Sequence, residues 1–120
     1  MKKIILSLAF FFMLLGFRTA SANVIINEVQ ISPTDSRFIE LYNSSNSDID
    51  LTDWYIQRKT ETGYEFTSLV SKTNFENKTI SSNGYFLISR NSINGADIVL
   101  SNLTLTNSNS IQIKNAEQEI

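Results

Sequence analysis

From residue 23 to its end the chain consists of short runs of β-branched and aromatic residues, each broken by a cluster of Asn, Ser, Asp or Gly, and no window carries helical periodicity. A sequence punctuated this way buries its apolar residues only as short strands joined by turns. The pattern predicts strands over residues 24–31, 37–43, 49–51, 54–59, 64–70, 79–80, 85–89, 98–100, 103–105 and 110–114. The turn at 32–36 holds the only proline, Pro33, where a missing N–H removes no ladder bond. A polar loop over 71–78 holds Phe75, and Ser82-Asn83-Gly84 turns the chain between two later strands. Turn signals spaced by roughly 8–12 residues point to an all-β, antiparallel sandwich.

Residues 1–22 do not follow that pattern. Lys2 and Lys3 precede an apolar stretch over 4–17, and Ala20-Ser21-Ala22 supplies a small-residue cleavage site, which together make the three parts of a secretory signal peptide. The stretch falls short of the ~20 residues that cross a bilayer and Arg18 closes it, so a cleaved signal is expected rather than a transmembrane segment. The short Lys-Lys start and the Ala-Ser-Ala site are of bacterial type. The expected mature chain begins at Asn23 and works outside the cytoplasm, secreted or at the cell surface, with the periplasm as the alternative compartment. Setting aside the first 22 of the 120 residues leaves 98, one small domain over 23–120 with room for a single core. Cysteine is absent, so neither a disulfide nor a lipid-modified Cys is available, and stability must come from apolar burial and backbone pairing.

Composition narrows the chemistry. With Lys2, Lys3 and Arg18 set aside, seven of the ten basic residues remain against twelve acids, a net charge of −5. Those seven are scattered, with only Arg58 and Lys59 adjacent, which argues against a broad nucleic-acid footprint. Histidine is absent as well as cysteine, so imidazole bases, Ser-His-Asp and Cys-His systems, and the usual zinc and copper sites each lack an essential member. No catalytic residue and no cofactor site is expected.

Several residues invite a functional reading. Ile39, Leu41, Trp54 and Ile56 are the expected core, Trp54 as a mid-strand residue at its centre. Tyr55 points to the opposite face from Trp54 by the two-residue strand period, and with Tyr64 it is the candidate exposed aromatic surface. If 32–36 closes a hairpin with Ile31 facing Arg37, Glu28 falls directly opposite Glu40. Two like charges so placed destabilise a strand pair unless a cation or a shared proton relieves them, and Arg58 from a neighbouring strand is the expected compensation. Asp48, Asp50 and Asp53 offer hard oxygen ligands of the kind calcium takes, but without the Gly turn and distal Glu of an EF-hand loop; a solvated strand edge that discourages aggregation is the preferred reading. Asn43-Ser44-Ser45, Asn77-Lys78-Thr79 and Asn102-Leu103-Thr104 match the N-glycosylation acceptor, which matters only in a eukaryotic secretory pathway.

Three segments carry a family resemblance: Val24-Ile25-Ile26-Asn27-Glu28-Val29, then Phe38-Ile39-Glu40-Leu41-Tyr42-Asn43, then Ile49-Asp50-Leu51-Thr52-Asp53-Trp54-Tyr55-Ile56. In this order and spacing they resemble the lamin tail domain as it occurs in secreted bacterial proteins. Residues 79–88 resemble its later "apolar, turn with Gly, apolar" segment, and 103–105 with 110–114 resemble its closing strands, so the likeness covers about residues 24–120. It implies an immunoglobulin-like sandwich used for binding or surface attachment, often beside other domains, with no catalytic residues to carry over. Asn115-Ala116-Glu117 reads as a hairpin turn and Gln118-Glu119-Ile120 as the opening of a returning strand, so the end of the last strand is expected to be missing.

The leading expectation is a secreted, non-catalytic module that binds a protein, a polysaccharide or another cell-surface component, with the loops at 32–36, 60–63 and 71–78 as the generic place for a site. The alternatives are an N-terminal accessory domain of a larger secreted hydrolase or nuclease, and a carbohydrate-binding module using Tyr55 and Tyr64.

Overall fold

Alternating burial along short strands organises the domain, described here from a computed structural model over residues 23–120; the signal peptide expected over 1–22 lies outside the described residues. The described residues form nine strands: β1 (Val24–Gln30), β2 (Phe38–Asn43), β3 (Ile49–Asp50), β4 (Tyr55–Lys59), β5 (Thr67–Val70), β6 (Thr79–Ile80), β7 (Tyr85–Ser89), β8 (Ile98–Val99) and β9 (Ser110–Lys114). They make a four-stranded sheet in the order β1-β2-β7-β8, a three-stranded sheet β5-β4-β9, and a two-stranded ribbon β3-β6.

The inward residues of the two larger sheets form one core. From the four-stranded sheet come Val24, Ile39, Leu41, Phe86, Ile88 and Ile98, and from the three-stranded sheet Ile56, Leu69, Val70 and Ile113. Ile39, Leu41 and Ile56 are fully enclosed. Trp54 is not: it precedes β4, is half-buried, and packs against the core from its margin. Its backbone N–H closes the 51–54 turn on Leu51, which takes it out of the strand and away from the centre. Phe75 is instead one of the largest wholly buried side chains. It sits in a single helical turn, α1 (Lys72–Phe75), inside the 71–78 loop, and its ring lies 6.0 Å from that of Phe86. A second helical turn, a 3-10 turn over Thr34–Ser36, lies in the β1–β2 connection.

Two departures from the expected pattern have local causes. The four-stranded sheet is mixed rather than antiparallel, because β8 pairs with β7 in parallel through Ile88–Ile98 and Ser89–Val99. The chain first returns beside β7, where Asp97 donates its N–H to Leu87 and accepts Leu87 N–H on its carboxylate. Gly95, at φ +85, lies in the bend that makes this return short. The expected strand at 103–105 has the right alternation, with Leu103 and Leu105 buried, but no ladder. Its carbonyls are taken by arginines: Arg58 donates to Thr104 at 2.6 Å and Arg90 to Leu103 at 3.3 Å.

A bulge in β1 decides what faces outward. Ile26 pairs with Leu41 but Glu28 pairs with Glu40, leaving Asn27 as an extra residue. Without it, Ile26 and Glu28 would lie on the same face. With it, Val24 and Ile26 point inward and Val29 falls on the same face as buried Ile39 but stays 37% exposed at the sheet edge, while Ile25 and Glu28 point out.

Candidate functional site

The outward face of the four-stranded sheet collects residues of one chemical kind in rows. Ile25 pairs with Tyr42 and Tyr42 with Tyr85; the next row holds Glu28, Glu40 and Leu87. The two tyrosine rings lie 4.9 Å apart between centroids, inclined by 35°. Such a tilted, close pair is an attractive arrangement for two rings and holds both on a rigid sheet. Tyr85 is 61% exposed and Ile25 43%, so the row is open to water and to a partner.

The carboxylates of the second row lie where the hairpin register predicts, Glu28 directly across from Glu40. Arg58 does not compensate them, since its guanidinium is turned to Thr104. Glu40 instead accepts from the Asn27 side-chain amide at 2.7 Å. The bulge residue thus orients the carboxylate without cancelling its charge, and two like charges remain opposed across the strand pair.

Beneath this face lies a polar knot built on Asn43, which is wholly buried at the inward end of β2. Its amide donates to the carbonyls of Ser47, Ile80 and Ser81, at 2.8, 3.3 and 3.1 Å, and its side-chain oxygen accepts from the Ser45 N–H and hydroxyl. The β2–β3 turn, the end of β6 and the 81–84 turn are thereby tied to one side chain. A Cβ at Gly84 would come within 2.9 Å of the Ser81 carbonyl, so only glycine closes that turn. Burial also withdraws Asn43 as a glycan acceptor in the folded domain, whereas Asn77 and Asn102 are exposed.

The aspartates singled out in the sequence serve separate turns. Asp48 accepts the Ser82 N–H, and Asp50 accepts the Thr52 N–H at 2.8 Å. The Thr52 hydroxyl, and after it the Thr52 backbone N–H, hold the Asp50 carboxyl below the ordinary 3.8. Asp53 is exposed at φ 67, in the 51–54 turn. Among the described residues no group of three or more acidic, His or Cys side chains is placed to hold a metal ion, so the three aspartates do not form a common site.

Tyr55 and Tyr64 are not brought together. Tyr55 opens β4 opposite Lys114, half-buried, with the Lys72 ammonium 5.4 Å from its ring centre. Tyr64, fully exposed, precedes β5, whose Thr67 pairs with Arg58 at the other end of the same hairpin. The tyrosine pair that the fold assembles among the described residues is Tyr42–Tyr85. Its signal in the sequence was the alternation of Glu40 and Tyr42 with buried Ile39, Leu41 and Asn43, together with the exposed start of β7.

An open groove of about 270 Å³ lies elsewhere, where the end of β1 meets the start of β9. Val29, Ile31, Leu105 and Ile111 make it apolar, Thr106, Asn107 and Asn109 line the rest, and no titratable side chain enters it.

Two β-sheets packed around a single core, with short connections and an open outer face, define an immunoglobulin-like sandwich. The sequence profile of the Lamin Tail Domain family matches residues 18–120, and the chain belongs to that family. Among individual curated proteins, none matches it.

Proposed function

We propose that this domain is a secreted, non-catalytic module that binds a macromolecule or cell-surface component through the outward face of the β1-β2-β7-β8 sheet. The observation that carries the reading is the Tyr42–Tyr85 pair, flanked by exposed Ile25 and by the Glu28–Glu40 row, on one rigid surface. Aromatic rings with polar neighbours at fixed spacing supply contact area at low entropic cost. Family membership supports a binding rather than a catalytic role. So does the shape of the molecule: the carboxylates stand on an open face, and the groove contains no acid or base. Secretion rests on the basic, apolar and small-residue segments of residues 1–22.

The test is retention of the full chain, processed by its native host, on that host's envelope fractions and on insoluble polysaccharides. Tyr42→Ala and Tyr85→Ala should each reduce retention by at least about fivefold, measured below the onset of melting of either variant. Loss with Tyr55→Ala or Tyr64→Ala instead would move the site to the other sheet. Hydrolysis of any retained polymer by the purified domain would overturn the non-catalytic reading.

A further inference from the structure

Deepening that proposed reading and resting on it, we infer that the partner presents a cationic segment, Lys or Arg side chains of a polypeptide, to the Tyr42–Tyr85 and Glu28–Glu40 rows. Charge is the first argument. Glu28 and Glu40 oppose one another directly, and among the described residues the one ion pair is Arg90–Asp35, in which neither glutamate takes part. The neighbour that does bond Glu40, Asn27, is neutral.

Among the described residues six of the domain's seven Lys and Arg side chains, all but Lys78, have partners other than the two glutamates, Arg90 in its pair with Asp35. Arg37 donates to the Ile31 carbonyl, Arg58 to Thr104 and Lys114 to Gln118. Lys59 lies over the Phe66 ring and Lys72 over Tyr55. A cation that relieves the opposed carboxylates therefore comes most readily from outside, and attraction by a chain of net charge −5 after signal removal favours its approach.

Geometry supplies the second argument. Residues two apart on a strand lie about 7 Å apart on the same face, so the tyrosine row and the glutamate row are separated by roughly one extended Lys or Arg side chain. A guanidinium or ammonium over Tyr42 or Tyr85 meets the negative face of the ring, and its neighbour along the peptide reaches Glu40 or Glu28. Exposed Ile25 and half-buried Leu87 flank the rows and give the aliphatic stems an apolar surface to lie on.

Calorimetric titration of the full chain with a blocked hexa-arginine peptide tests the inference, with cellohexaose and chitohexaose as uncharged probes. The wild-type chain should bind hexa-arginine, and the Glu28→Gln/Glu40→Gln double variant should bind it at least about tenfold more weakly, with a shallower salt dependence. Tyr85→Ala should weaken binding by about threefold and leave the salt dependence unchanged. The Glu61→Gln/Glu65→Gln variant removes the same charge from an exposed loop and should bind like wild type. No hexa-arginine binding, or equal losses in the two double variants, overturns the inference, the latter because only diffuse attraction is then at work. Binding of the oligosaccharides but not the peptide, lost in Tyr42→Ala, would overturn it while leaving the binding role of the face intact.

Discussion

The outward faces of the two larger sheets differ in how they treat their polar groups. On the three-stranded sheet the long polar side chains are answered from within: Gln112 donates to Gln57 at 2.8 Å, Lys114 bonds the Gln118 carbonyl, and Lys72 covers Tyr55. On the four-stranded sheet an aromatic pair is left open beside two opposed carboxylates that only a neutral amide touches. A self-satisfied face has little to gain from a partner, whereas two like charges opposed across a strand pair are a repulsion that the proposed cationic partner would relieve. The same fold thus provides one surface whose polar groups are largely paired within the domain and one that, on the proposed reading, receives a partner.

The comparison breaks first if the open face is not rigidly supported from below. Asn43→Ala leaves three carbonyls without their buried donor and should lower stability by about 3 kcal/mol, read from urea denaturation. Retention on the partner should fall with it. If stability falls and retention does not, the face does not depend on the knot.

A smaller effect separates the two faces by function. Replacing both Tyr42 and Tyr85 by Ala should weaken partner binding by at least about tenfold, equivalent to ~1.4 kcal/mol, while the same change at Tyr55 should leave binding unaltered.

The sharpest contrast is one of sign. Glu28→Gln relieves a like-charge pair and should raise stability by about 0.5 kcal/mol, whereas Gln57→Ala breaks the Gln57–Gln112 bond and should lower it by a similar amount. Equal signs in thermal melts at low salt would remove the distinction.

The smallest effect lies between the faces, at Asp50 on the β3–β6 ribbon. Hydrogen bonds from Thr52 lower its folded pKa below 3.8. The stability it contributes is present above that value and lost as pH falls through the lowered one. Asp50→Asn should flatten that acid-side loss, and identical acid limbs in the two proteins would show that the bond contributes nothing.

Much of the fold was legible because it is local. Alternation marked the strands, and the 110–114 assignment coincides with β9. Counting back from the 32–36 turn placed Glu28 opposite Glu40, since a hairpin's register follows from its turn. The bulge at Asn27 lies beyond those positions, so the count survived it. Tyr42 was not recognised as half of a platform because its partner Tyr85 is brought alongside only when β2 and β7, distant in sequence, pair. Phe75 stood in a polar loop with nothing nearby to show that one helical turn would bury it. Leu103 and Leu105 alternate like a strand, but the donors that replace their ladder belong to arginines on β4 and after β7.

By itself the sequence determined an all-β domain without disulfides or imidazole chemistry, the inward identity of Ile39, Leu41 and Ile56, and the opposition of two glutamates. The tertiary structure alone decided which cations are engaged, which aromatics meet, and that β8 runs parallel to β7. The physical reason is one of range. Side-chain period and turn geometry act over a few neighbouring residues, whereas the pairing of distant strands and the reach of a long Arg or Lys side chain exist only once the sheets have formed.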